Sequence, residues 1–204
     1  MITIKASVET EIIIKKSRFL GLAVRVDSEE AAQHVLEQRR KQHYDARHHC
    51  FAYVLENGVM RYSDDGEPQG TAGVPMFEVL KKSGLTDIVV VSTRYFGGTL
   101  LGAGGLVRAY TQSAAGTLAA AQRIRCVTCS VFQCRFDFST WARAEKALAA
   151  TGFVPIEVQY ADAVTADFSV FPDDEEKFTQ NVTNLTQGRT TPVPLGTRVV
   201  EIDI

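Results

Sequence analysis

A chain of 204 residues, 45% hydrophobic and 23% charged, has the composition of a soluble globular protein with room for one large or two small domains. With 22 Lys and Arg against 24 Asp and Glu it is no highly basic nucleic-acid binder of the histone type, and its four cysteines are too few for a disulfide scaffold at this length. No stretch approaches the roughly eighteen uninterrupted apolar residues of a membrane span, and Lys5, Glu9, Glu11, Lys15 and Lys16 break up the start, which excludes a signal peptide and points to the cytoplasm.

Residues 2–14 and 19–26 are apolar-rich and β-branched and predict two strands, with Lys15-Lys16-Ser17-Arg18 as a connection or strand end. Asp27, with Glu30 three residues later, predicts a helix start, and Ala32, Val35 and Leu36 form the inward stripe of a helix over 28–42. Residues 48–55 alternate and carry Phe51, Tyr53 and Val54; Asn57-Gly58 marks a hairpin turn, and 59–63 return as its second strand. A polar loop leads into a helix over 72–82. Ile88-Val89-Val90-Val91 is too short and too β-branched for a helix and predicts a buried strand. A small-residue helix over 104–123, with Leu106, Tyr110, Ala114, Leu118 and Ala121 on one side, closes a first domain at about residue 125.

In 126–204, Phe132, Cys134 and Phe136 share a strand face, and Ser139 predicts the cap of a helix carrying Trp141, Ala144 and Leu148 that ends at Gly152. Two strands follow, marked by Val154, Ile156, Val158 and Tyr160 and by Val164, Ala166, Phe168 and Val170. Asp173 with Glu176 predicts a capping box for a helix with Phe178, Val182 and Leu185, and 195–204 predict a last strand. The order βαββαβ is that of a ferredoxin-like α+β sandwich. No linker separates the domains, so the boundary at 124–127 is short. Charge differs across it: 1–125 hold 16 basic against 13 acidic residues, 126–204 hold 6 against 11.

The most unusual segment runs from Arg94 through Tyr95, Phe96, Gly97 and Gly98 to Gly102, Gly104 and Gly105, with five glycines among the nine residues 97–105. Glycine at that density lets the backbone turn through positive φ or approach something closely, and at a helix N-terminus it offers free N–H groups to an anion. A phosphate site and mere close packing are both compatible with it; the spacing matches neither the dinucleotide fingerprint nor the Walker loop. The segment 63–73 places Asp64, Asp65 and Glu67 before a potential cap at Thr71, which fits either Mg²⁺ or a tight acidic turn. In Arg47-His48-His49-Cys50, strand alternation sends Arg47, His49, Phe51 and Tyr53 to one face and His48 and Cys50 to the other, so Cys50 reads as buried and not as a nucleophile or ligand. Cys126, Cys129 and Cys134 form no metal set. Basic and aromatic residues interleave at Lys15, Lys16 and Arg18, at Arg39, Arg40 and Lys41, at Arg47 with His49, Phe51 and Tyr53, and at Arg94 with Tyr95 and Phe96; gathered on one surface they would bind single-stranded nucleic acid.

The strings Ala46-Arg47-His48-His49-Cys50, Ser63-Asp64-Asp65-Gly66-Glu67-Pro68-x-Gly70-Thr71-Ala72-Gly73-x-Pro75-Met76 and Thr93-Arg94-Tyr95-Phe96-Gly97-Gly98-x-x-Leu101-Gly102-x-Gly104-Gly105-Leu106-Val107-Arg108-Ala109-Tyr110 together resemble the IMPACT family, in its bacterial YigZ-like branch. The resemblance spans essentially the whole chain. It implies a two-domain α+β fold: residues 1–125 like the second domain of a small-subunit ribosomal protein, a four-stranded sheet with helices on one face, and residues 126–204 like the ferredoxin-like last domain of elongation factor G. Both likenesses imply RNA or the ribosome as partner and a translation-related regulatory module; no cofactor and no metal ligand set are assigned from the sequence. Arg47, His49, Asp64, Asp65, Glu67, Thr71, Arg94, Tyr95, Gly97, Gly98, Gly104, Gly105 and Arg108 are the binding residues expected, converging on one concave surface of the first domain. A phosphate- or nucleotide-binding enzyme is the alternative. Leu101-Gly102-Ala103-Gly104-Gly105 resembles the ATP loop of homoserine- and mevalonate-type kinases, although Leu106 and Val107 stand where those enzymes carry serines. A hydrolase pairing the acidic loop with His48 or His49 is a third class.

Overall fold

The computed structural model describes residues 1–204 and separates into two compact units, Met1–Arg125 with Asp203–Ile204, and Cys126–Ile202. No helix is long and apolar enough to cross a membrane.

The run 2–14 divides at Lys5 into β1 (Ile2–Ile4) and β2 (Val8–Ile14), and β3 (Ser17–Arg25) returns beside β2 with Ile14 opposite Ser17. The two-residue turn between them is Lys15-Lys16, both at positive φ (46° and 66°). That mirror-image turn suits the right-handed twist of the strands, but non-glycine residues adopt it at a cost of about 1–2 kcal/mol each. Helix α1 (Glu29–Gln42) is capped by Ser28, whose hydroxyl accepts from the Ala31 N–H, and not by Asp27. β4 (His48–Val54) and β5 (Met60–Ser63) form the expected hairpin; α2 (Gly73–Ser83), β6 (Ile88–Tyr95) and α3 (Ala103–Ala120) complete the unit.

The sheet has five antiparallel strands, ordered β2-β3-β6-β4-β5, with helices on both faces, where four strands covered on one face were expected. The reason lies in β6. Ile88, Val89, Val90 and Val91 leave it no polar face to give to water, so both faces must be covered. On one side Ala32 and Leu36 of α1 pack with Phe51, Tyr53, Val89 and Val91. On the other, Met76 and Leu80 of α2 and Leu106, Tyr110 and Ala114 of α3 pack with Phe19, Cys50, Ala52 and Val90.

The second unit runs β7 (Arg123–Phe136), α4 (Phe138–Ala150), β8 (Pro155–Tyr160), β9 (Val164–Val170), a 3-10 turn (Pro172–Asp174), α5 (Glu175–Thr186) and β10 (Val193–Asp203). β9 lies between β7 and β8, and β10 also pairs with β7. Phe136, Trp141, Leu148, Phe168, Phe178 and Val182 form its core. Two expected caps are displaced. Asp137, not Ser139, accepts the Thr140 N–H at the start of α4, and the predicted Asp173–Glu176 box gives way to the 3-10 turn, with no side-chain cap on α5. Cys126, Cys129 and Cys134 are buried thiols outside any disulfide. The expected boundary falls inside β7, a continuous strand whose first residues, Arg123–Arg125, pair with β1.

Candidate functional site

Antiparallel register sets His48 of β4 beside Arg94 of β6, and Arg94 beside Phe19 of β3. All three therefore project onto the face covered by α2 and α3. Arg94 is a strand residue, only 6% exposed, and its Nη1 donates to Glu67 Oε1 at 2.6 Å. Nη2 donates to Ser17 Oγ at 3.3 Å, and the guanidinium lies over the rings of Phe19 and Phe96. Tyr110 of α3 donates its hydroxyl to the same Glu67 oxygen at 2.8 Å. Burial, with Cys50 and Glu67 alongside, pushes the Tyr110 phenol far up, which keeps it a donor. Burial likewise raises the Cys50 thiol, which donates to the Asp64 carbonyl, so Cys50 is no nucleophile. The Arg94 charge, expected to meet a ligand anion, is spent on Glu67.

The acidic loop delivers Glu67 to that position. Asp64 accepts the backbone N–H groups of Gly70, Ala72 and Gly73 at 2.8 to 2.9 Å. It thereby caps α2 from outside the helix, the role Thr71 was expected to fill; the Thr71 hydroxyl instead donates to the Pro68 carbonyl. Burial works against the Asp64 charge, but the three N–H donors outweigh it and hold the carboxyl below its usual value. Asp65 accepts the His49 N–H through Oδ2 and pairs with Arg40 through Oδ1. These oxygens serve the loop's own backbone and its neighbours.

The glycine-rich segment is held by close approach and by turning. A side chain on Gly97 would collide with the backbone of Lys16 and Ser17, and the Gly97 N–H donates to Ser17 Oγ. Gly102 begins α3 at φ 72°, and the helix start carries neither a side-chain cap nor an acidic residue. The N–H groups of its first turn are thus unopposed by side chains. Arg108 folds back over this turn, its Nη1 3.8 Å from where a Gly104 side chain would begin. Two concavities meet here, both lined by Leu101. One of about 290 Å³ is bounded by Arg47, His48, Glu67, Arg94, Phe96 and Gly102, the other of about 240 Å³ by Lys15, Gly105, Arg108 and Gln112. Lys15, Lys16, Arg47 and Arg108 are exposed and have no acidic partner.

The three motif strings therefore converge, though not every expected residue takes part. Arg47, Glu67, Arg94, Gly104, Gly105 and Arg108 line or flank the concavities, and Gly97 and Gly98 shape the segment between. His49 instead lies buried against Thr93 on the α1 side, and Tyr95 bonds His43 and Asp45 there. Asp64, Asp65 and Thr71 act on the loop. Lys15, Lys16 and Phe96, named among the interleaved basic and aromatic residues, and His48 line or flank the concavities although the set implied by the resemblance lacked them, and Ser17 and Tyr110 hold the Arg94–Glu67 pair behind them. Alternation had already placed His48 on the face opposite His49, but not which face the loops would meet. The larger cavity of the second unit, about 510 Å³, holds Arg135 and Arg189 already paired with Asp162 and Asp137.

The description "Impact N-terminal domain" matches residues 15–118, and "Domain of unknown function (DUF1949)" matches 134–189. The chain is 40% identical to "IMPACT family member YvyE" of Bacillus subtilis (strain 168) over 189 residues, 92% of this chain and 87% of that one. It is 50% identical to "IMPACT family member YigZ" of Escherichia coli (strain K12) over 101 residues, 48% of this chain and 50% of that one. A crystal structure described only as that of a hypothetical protein is similar at TM-score 0.61 and 32% identity, over 94% of this chain and 95% of the other.

Proposed function

This chain belongs to the IMPACT family, and from that premise we propose that it is an RNA- or ribosome-associated module of translation that holds single-stranded RNA by its phosphates across the first unit. The observation that carries this reading is the set of four exposed, unpaired cations, Lys15, Lys16, Arg47 and Arg108, around the uncapped start of α3. Cations without carboxylate partners keep their charge for phosphates, and the helix N-terminus adds donors and a positive dipole end. Phe96 and Leu100, 43% and 82% exposed, supply a ring and an apolar side chain for bases. The strained Lys15-Lys16 turn fits the same purpose, because it holds two ammonium groups at a hairpin tip where glycine would turn more cheaply. The likenesses to a ribosomal protein and an elongation factor that the motifs imply direct this chemistry toward translation.

Each neutralised phosphate contributes about 0.7 to the salt slope of single-strand binding, so four cations give a slope near −3. Titrating labelled single-stranded RNA into the full chain at a series of salt concentrations measures it. Each of Lys15→Ala, Lys16→Ala, Arg47→Ala and Arg108→Ala should reduce the slope by about 0.7. Absence of saturable binding at low salt, or a slope indifferent to all four substitutions, overturns the reading. Saturable binding of ATP with Mg²⁺ in place of RNA would favour a nucleotide-binding enzyme.

A further inference from the structure

The cavity of about 290 Å³ contains one polar atom whose hydrogen-bonding role the fold sets in the neutral imidazole. His48 Nδ1 lies 2.8 Å from the Asp65 carbonyl oxygen. A carbonyl can only accept, so the proton of the neutral ring sits on Nδ1 and Nε2 presents a lone pair. Nε2 has no hydrogen-bond partner. The nearest candidate, Glu67 Oε1, is 4.0 Å away, already takes bonds from Arg94 and Tyr110, and is itself an acceptor. What this corner lacks is a neutral donor. The walls beyond it are Phe96, Leu100, Leu101 and Leu106, and Arg47 stands at the rim. At the lower end of ligand-pocket volumes, the cavity has room for one nucleoside and not for a run of strand.

We infer that His48 Nε2 accepts a hydrogen bond from the 2′-hydroxyl of a single ribose lodged in this cavity, so that the first unit selects RNA over DNA. The inference rests on the proposed RNA binding and adds a sugar-reading contact to it. Phosphate contacts from Lys15, Lys16 and Arg108 cannot tell the two nucleic acids apart, because their backbones carry the same charge. The 2′-hydroxyl is the group by which a protein distinguishes them, and it is a donor of the kind the Nε2 lone pair requires. The apolar wall takes the attached base.

The test compares three single strands of one sequence, RNA, DNA and 2′-O-methyl RNA, each titrated into the full chain. The methylated strand keeps the ribose oxygen but has no proton to donate. RNA should bind about five- to tenfold more tightly than either of the others, the ratio one hydrogen bond supplies. His48→Phe should remove that ratio while leaving the salt slope intact, and His48→Gln, which restores an acceptor, should recover part of it. Equal affinity of the three strands, with a steep salt slope, overturns the inference and leaves phosphate binding standing. Failure of all three to bind overturns the proposed function itself. A preference that survives His48→Phe also overturns the inference. The 2′-O-methyl comparison uses the unaltered chain, so equal affinity there overturns the inference even if the substituted proteins do not fold.

Discussion

Truncating Arg94 tests whether that arginine is a ligand contact or an internal strut. Glu67 is 8% exposed and Arg94 6%, and the 2.6 Å bond between them is supplemented by hydrogen bonds with Tyr110 and Ser17 and by the rings of Phe19 and Phe96. Removing one partner of so buried a pair leaves an uncompensated charge in the core, which costs about 3–5 kcal/mol. Replacing both with apolar residues of similar volume removes both desolvation costs together and is often close to neutral. Arg94→Met and Glu67→Leu should therefore each destabilise the first unit by about 3–5 kcal/mol, whereas the double substitution should restore most of the loss. Trp141, the one tryptophan, belongs to the second unit, so its fluorescence reports that unit alone. Urea unfolding of the full chain should then be followed by hydrogen exchange at the β6 amides, which reports the first unit. The reasoning fails if either single substitution costs under about 1 kcal/mol, or if Arg94→Met leaves stability intact while lowering the RNA salt slope by one contact.

Gly97→Ala places a methyl group against the backbone of Lys16 and should cost about 3 kcal/mol, whereas Gly98→Ala, at φ 83° with open space around it, should cost about 1–2 kcal/mol; thermal unfolding ranks them, and equal costs would contradict the close approach at Gly97. Asp64→Asn weakens the capping of α2, and because the Asp64 carboxyl lies below its ordinary 3.8, the contribution of its charge is complete above that pH and fades as the pH falls through the lower folded value. The gap in urea midpoint between wild type and Asp64→Asn should accordingly be largest near neutrality and shrink below pH 4. In the second unit, the Ser139 hydroxyl and the Thr140 N–H and hydroxyl hold Asp137 at about 2, so its stabilisation persists above 3.8 and disappears as the pH falls toward 2. Asp137→Asn should flatten that part of the acid-unfolding curve read from Trp141 fluorescence; an unchanged curve would remove Asp137 from the account.

Much of the fold was legible in residue order because the signals were local. The β-branched run 88–91 could only be a buried strand, Asn57-Gly58 could only turn a hairpin, and the alternation of 132–136 and 164–170 named the inward face of each strand. Caps were less legible. An acceptor for a helix N-terminus needs only to reach it, and Asp64 does so from nine residues before Gly73, where a search beside the helix finds Thr71. The apolar run that predicted the β6 strand also demands cover on both of its faces, yet the sheet was expected to carry helices on one face only, and the packed structure alone showed both faces covered.

By itself the sequence determined the family motifs, the βαββαβ order of the second unit, the opposite faces of His48 and His49, and the presence of cations beside glycines. Only the tertiary structure decided that His48 meets the cavity while His49 is sealed beneath α1, and that Glu67 takes the charge of Arg94 from 27 residues away. It alone decided that Lys15, Lys16, Arg47 and Arg108 remain unpaired. The physical reason is that periodicity assigns a residue to one of two faces, whereas what covers each face, and which charges find partners there, is set by chain segments that meet only when the sheet closes between its helices.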